Sequence, residues 1–207
     1  MATLGFLRRD FDVFAIENFS ARLAKIDELI TPRLMQLAAD FKLELSRSLQ
    51  MVFYPHYARH IRRAAKAPHE SWAAWGPSPV GYKRHGYLVL CISGVGVHAR
   101  AVVKSSADHR PDMVRAIKSK SADLENSFRG TKIQHYQNWE GRELPQSRVA
   151  SAGFFDELGD ALAKKSGGID VGFGWPLRDA LTVDRAEVLD AFRELGPLYR
   201  LILSAAS

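Results

Sequence analysis

Between Tyr57 and Gly76 the chain reads YARHIRRAAKAPHESWAAWG, which places Arg59, Arg62, Arg63 and Lys66 beside His60, His69, Trp72 and Trp75. Guanidinium groups make planar, two-pronged contacts with phosphate or carboxylate, and an indole offers a face on which a base or other ring can stack. Beyond a GPSPVG stretch, GYKRHGY adds Tyr82, Lys83, Arg84, His85 and Tyr87. Two basic and aromatic clusters flanking a glycine- and proline-rich loop can converge on one anion. Arg59, His60, Arg62, Arg63, Trp72, Trp75, Tyr82, Lys83 and Arg84 are therefore the candidate ligand-binding residues. His60 and His85 are the candidates for general acid–base work, because imidazole changes charge near neutral pH.

The charge distribution supports an anionic partner. The 207 residues carry a formal net charge of +6. From Met51 to His85 six basic residues stand against one acid, Glu70, so nearly all the excess lies in a sixth of the chain. Charge this concentrated points to a nucleotide, a nucleic-acid strand or a phosphorylated metabolite. The plainer alternative is a solvated basic face with its tryptophans in the core.

Other constellations carry less. His56 and His60 have a spacing that lets two histidines on a helix share one metal, but the neighbouring arginines would repel a divalent cation. No metal site and no cofactor are expected. No P-loop, G-x-S-x-G, H-E-x-x-H or dinucleotide fingerprint occurs, and the GFG at Gly172–Gly174 carries no motif alone. Asp10 and Asp12 read as caps or surface carboxylates before they read as a catalytic pair.

The elements that must position these residues follow from periodicity. Ser20 caps a short helix, and Thr31 with Pro32 opens a second in which Leu34, Leu37, Ala38, Phe41, Leu45 and Leu49 recur at helical steps. Pro55–Ala67 is alanine-rich and is expected to be helical, with a basic face backed by an apolar one; a strand is the alternative. ESWAAWG, GYLVLCISG and VGVHARAVVKS read as strands, the last burying Val97, Ala99, Ala101 and Val103 and holding His98 and Arg100 on its other face. A helix near Pro111 carries Met113, Ile117, Leu124 and Phe128 to a stop at Gly130. TKIQHYQNW and GIDVGFGW are further strands around a helix opened by Ser151. Asp184 with Glu187 forms a capping box for a last helix, which Pro197 should kink or split. This order predicts one α+β domain over residues 1–207, a largely antiparallel central sheet packed with N-terminal and C-terminal helices. The single cysteine, Cys91, lies in an apolar strand and fits a buried residue in a reducing cytoplasm. No apolar run approaches a membrane span.

The stretches YARHIRRAAKAPHESWAAW and GYKRHGYLVLCI resemble the signature region of the YktB-like family of conserved bacterial proteins. The opening DFDVFAIENFSARL and the closing ELGPLYRLI are similar to the ends of the same family. The match is densest at Arg59, His60, Arg62, Arg63, Pro68, Ser71, Trp72, Gly81, Tyr82 and Lys83, and weak from Asp108 to Asp170. The resemblance implies an α+β fold and supplies no reaction. Two readings follow: a binding protein for an anionic, phosphate-bearing ligand (a small molecule or nucleic acid) in a basic, aromatic-lined cleft, or an enzyme on a phosphorylated or carboxylated substrate with a histidine acid–base. A basic face that contacts an acidic protein is a third.

Overall fold

The computed structural model describes residues 2–60 and 67–206. Seven strands form one antiparallel sheet: β1 (Tyr54–Tyr57), β2 (Glu70–Gly76), β3 (Tyr87–Ser93), β4 (Gly96–Val103), β5 (Lys132–His135), β6 (Ser147–Val149) and β7 (Ile169–Pro176). Their spatial order is β1-β2-β3-β4-β7-β5-β6. The first four strands are a meander, and β7 enters beside β4 with Ala101 opposite Val171 and Arg100 opposite Gly172. The expected α+β class and antiparallel sheet are what the structure contains.

Strand alternation then separates two faces. Ala73 and Trp75 of β2, Leu88, Leu90 and Ile92 of β3, and Val97, Ala99 and Ala101 of β4 are all fully buried and join one apolar core with the helices. Helix α3 (Thr31–Leu49) faces that side with Leu34, Leu37, Phe41 and Leu45, the stripe its spacing predicts. From the C-terminal side, α8 (Arg185–Glu194) and α9 (Gly196–Ser204) add Phe192, Leu198, Tyr199 and Ile202. The Asp184–Glu187 capping box is made in both directions, at 2.8 and 3.2 Å. Pro197 falls in the first turn of α9, so the terminal helix is split in two.

The other helices are α1 (Arg8–Asp12), α2 (Phe19–Lys25), α4 (Arg110–Ser119), α5 (Ser121–Ser127), α6 (Phe154–Ala163) and α7 (Leu177–Ala180). Several expectations differ in detail. Gly153, not Ser151, stands at the N-cap of α6, and Thr31 opens no separate helix, because a π-helical turn at Ile26–Ile30 joins α2 to α3. Asn18, not Ser20, caps α2, accepting from the Ala21 N–H at 2.9 Å. The helix after Pro111 breaks at Lys120 into α4 and α5. The last difference matters for function: Pro55–Tyr57 is extended, not helical. These residues form the edge strand β1, where proline's missing N–H costs no ladder bond on the open side. The ladder continues through Ala58, whose N–H reaches Trp72 O at 2.9 Å, and His60 then turns the chain at φ 49°. The rest of the helix expected over Pro55–Ala67, Arg62 and Arg63 included, lies outside the described residues apart from Ala67.

Candidate functional site

The second face of the sheet carries the chemistry. Alternation directs Glu70 and Trp72 of β2, Tyr87, Cys91 and Ser93 of β3, His98 and Arg100 of β4, and Asp170 of β7 away from the helices. Two pieces of chain cover this face: the 3₁₀ turn Tyr82–Arg84 and the stretch after β5 that contains Tyr136 and Trp139.

Arg100 is 4% exposed, and a charge so buried has to be compensated. Its Nη2 donates to Glu70 Oε2 at 2.7 Å and to Cys91 Sγ at 2.7 Å, and its Nη1 lies 3.4 Å from Asp170. The Tyr136 ring lies 4.9 Å from the guanidinium carbon. Burial alone would lower the Arg100 pKa, but Asp170, Cys91 and Glu70 outweigh it and hold the group charged. Burial raises the carboxyl of Asp170 despite Arg100 and Lys104 beside it. Burial likewise pushes the Cys91 thiol well up, so it is a neutral acceptor and not a nucleophile. One cation held by two carboxylates has no charge left for an anion. This cluster ties β2, β3, β4 and β7 together from below.

Beside it runs a directed hydrogen-bond relay. Tyr136 Oη donates to Gln134 Oε1 at 2.6 Å, which leaves it an acceptor toward His98 Nδ1 at 3.3 Å. His98 therefore carries its proton on Nδ1, and Nε2 accepts from Ser93 Oγ at 2.8 Å. Gln134 closes the relay by donating to Pro145 O at 2.9 Å. Burial keeps His98 neutral. A serine and a histidine at this distance have the spacing of a nucleophile and base, but both are fully buried with no path for substrate, so the relay pins the Tyr136–Pro145 segment under the sheet. The GFG glycines make it possible. A Cβ on Gly174 would stand 2.5 Å from both Gln134 Oε1 and Tyr136 Oη, and one on Gly172 would stand 2.0 Å from Ala99 O.

The other half of the face is aromatic. The Tyr82 ring stacks on His56 at 4.1 Å, meets Tyr87 edge-on at 4.9 Å and lies 6.0 Å from Trp72. Lys83 Nζ stands 5.2 Å from the Trp72 ring and 5.8 Å from that of Tyr82. Tyr82 is buried, burial raises its pKa, and its Oη has no hydrogen-bond partner among the described residues. His56 has its pKa lowered by burial, so it is neutral at pH 7 and donates from Nε2 to Ser78 O at 3.0 Å. Trp72 is half-buried and Lys83 exposed, so this end of the face meets solvent.

The structure thus gathers Trp72, Tyr82 and Lys83 and disperses the other candidates it describes. Trp75 belongs to the opposite face, fully buried, stacked on Phe41 at 5.8 Å and donating to Ala38 O at 2.9 Å. Odd and even positions of a strand point opposite ways, so Trp72 and Trp75 cannot share a ligand. Arg59 lies 5.6 Å over the ring of Tyr57, whose partner across the ladder is Ala73 of the helix side. His60 Nε2 meets Ser71 Oγ at 3.2 Å, also on that side. Arg84 pairs with Asp108 at 2.8 Å, and His85 lines a different hollow of about 570 Å³ with Met51, Val52 and Leu203. His60 and His85 are therefore in different places, and neither faces the rings. Asp10 accepts the Leu7 N–H at 2.8 Å and Asp12 pairs with Arg8, the capping and surface roles expected. No group of three or more potential metal ligands occurs among the described residues.

The family model described as "Domain of unknown function (DUF1054)" matches residues 6–199. The chain belongs to this family. It is 24% identical over 208 residues to a UPF0637 protein of Bacillus velezensis, an alignment that covers 97% of this chain and 98% of the relative. Over 83 residues it is 35% identical to a UPF0637 protein of Lysinibacillus sphaericus and 36% to one of Staphylococcus aureus, in each case 40% of this chain and 39% or 41% of the relative. The YktB-like resemblance agrees with this bacterial membership. Among the described residues no helix is long and apolar enough to cross a membrane.

Proposed function

We propose that the protein binds a small anionic ligand carrying a ring, a nucleotide or phosphometabolite, at the solvent-facing end of the second face. The ring stacks on Trp72 at the edge of the Tyr82 cluster, and Lys83 pairs with the phosphate. The observation that supports this most is the position of the Lys83 ammonium, 5.2 Å from the ring of the half-buried Trp72 and 5.8 Å from a phenol ring, beside the chain segment richest in positive charge. The geometry favours a small ligand over a nucleic-acid strand. Arg84 pairs with Asp108, Arg59 lies toward the other face, and Arg100 is neutralised, so among the described residues no extended cationic track follows the rings.

The test is a titration with adenosine, guanosine, cytidine and uridine monophosphates, inorganic phosphate and a single-stranded oligonucleotide, run at two salt concentrations. A mononucleotide should bind with shallow salt dependence, and Lys83→Ala and Trp72→Ala should each weaken it, the second by about 1–3 kcal/mol for a stacked base. Tight, steeply salt-dependent oligonucleotide binding would replace this reading with a nucleic-acid one. Equal affinity in wild type and both variants would remove it.

A further inference from the structure

Three strands from Trp72, the sheet opens into a fork. Pairing between β5 and β7 stops at Gln134–Gly172, yet β5 runs back to Lys132 and β7 runs on to Pro176. Residues Phe173–Trp175 thus have β4 on one side and no ladder partner on the other among the described residues. The fork opens into a hollow of about 500 Å³, walled by Phe173 and Trp175, by Lys132 and Ser147 of the β5–β6 hairpin, and by α8. The three residues span roughly 10 Å; Phe173 and Trp175 turn their backbone groups to β4, and Gly174 turns its N–H and C=O to the open side, where a short extended segment can pair with them.

Charge says what that segment must carry. Glu187, Asp190 and Glu194 line the hollow from one side of α8, at the spacing that brings residues of neighbouring turns together, and all three are exposed. Lys132 is the one basic residue in the lining, and Arg193 on α8 pairs with Asp190 at 2.5 Å. In a chain with a formal charge of +6 this is a locally acidic groove. Its two half-buried rings, Phe173 and Trp175, are surfaces on which a guanidinium stacks well.

We propose that this fork is a docking site for an extended, arginine-bearing segment of a partner protein, which adds as a strand to the open edge of β7 and sets its basic side chains against α8. The segment gains backbone hydrogen bonds from the N–H and C=O of Gly174, and charge pairing from Glu187, Asp190 and Glu194. The site is independent of the ring cluster at Trp72, and no residue serves both.

The probe is a fluorescently labelled hexapeptide of alternating valine and arginine, measured by anisotropy against the full-length protein, with a valine–glutamate hexapeptide and a backbone N-methylated arginine hexapeptide as controls. The arginine peptide should bind, and both controls should bind at least about tenfold more weakly, one through charge and one through lost ladder bonds. The double variant Asp190→Lys/Glu194→Lys, both on an exposed helix face, should lower affinity by a similar factor, while Lys83→Ala should leave it unchanged. No binding of the arginine peptide, or equal binding by the N-methylated peptide or the double variant, overturns the proposal. Sedimentation gives a further arm: a wild-type dimer abolished by the double variant would assign the fork to a second copy of this chain and also overturn it.

Discussion

Replacing Arg100 with methionine would leave Glu70 and Asp170 facing one another beneath the sheet with no cation between them. The guanidinium is 4% exposed, contacts Glu70 and Cys91 at 2.7 Å and Asp170 at 3.4 Å, and stands 4.9 Å from the Tyr136 ring. Breaking a buried ion pair from one side costs about 3–5 kcal/mol, chiefly because the remaining charge is stranded. For a chain of this length that loss lowers the melting temperature by roughly 10 °C. The pH dependence carries a sign that distinguishes this cause from lost packing. The folded-state pKa of Asp170 is raised, so the native state holds that proton more tightly than the unfolded chain does. Its contribution is therefore fully present below the unfolded carboxylate pKa and is lost as pH rises through the folded value. Without Arg100 the folded value climbs further, and the deficit of Arg100→Met should shrink between pH 7.5 and pH 5. Urea denaturation at both pH values measures it. Adding Glu70→Gln and Asp170→Asn to Arg100→Met should recover about 2 kcal/mol at the higher pH. A deficit below about 1 kcal/mol, or one of equal size at both pH values, would refute the charge argument.

Other consequences are simpler to state. Tyr136→Phe leaves Gln134 Oε1 and the His98 Nδ1–H without their buried partner, so denaturation should show a loss of about 1–3 kcal/mol. Cys91 is fully buried with its pKa raised by burial, so native protein should resist alkylation by iodoacetamide at pH 8 and react only on unfolding. Trp75→Ala empties part of the core and should cost about 3–5 kcal/mol in denaturation, while the folded protein keeps its mononucleotide affinity; Trp72→Ala should show the reverse pattern.

Much of the fold was legible because the core is written in periodicities. The α3 stripe, the alternation of β4, the Asp184–Glu187 cap and the break at Pro197 each rest on contacts within a few residues, which a local pattern records. The segment after Tyr54 was not legible in this way. Alanine content argues for helix there, but pairing with β2 across the sheet decides otherwise, and such tertiary pairing overrides propensity. The candidate site divided for the same reason. Local clustering collected Trp72 and Trp75, whose spacing in a strand sends them to opposite faces, and Arg84, whose charge is taken by Asp108. The buried cluster was missed, although a signal for it existed. Arg100 lies at an inward-facing position of a strand packed on both sides, and the carboxylates it needs stand at alternating positions of ESWAAWG and GIDVGFGW. Tyr136 and Trp139 could not be assigned, because TKIQHYQNW reads as one strand and only the relay to His98 shows where β5 ends.

The most direct measurement is nitrogen–proton NMR mapping of a mononucleotide titration. If the solvent-facing end of the second face is the ligand site, the Trp72 indole N–H and the amides of Tyr82 and Lys83 shift with saturation, while the Trp75 indole, held against Ala38, stays fixed. Saturable shifts confined to residues away from that face, or none with any mononucleotide, would contradict it.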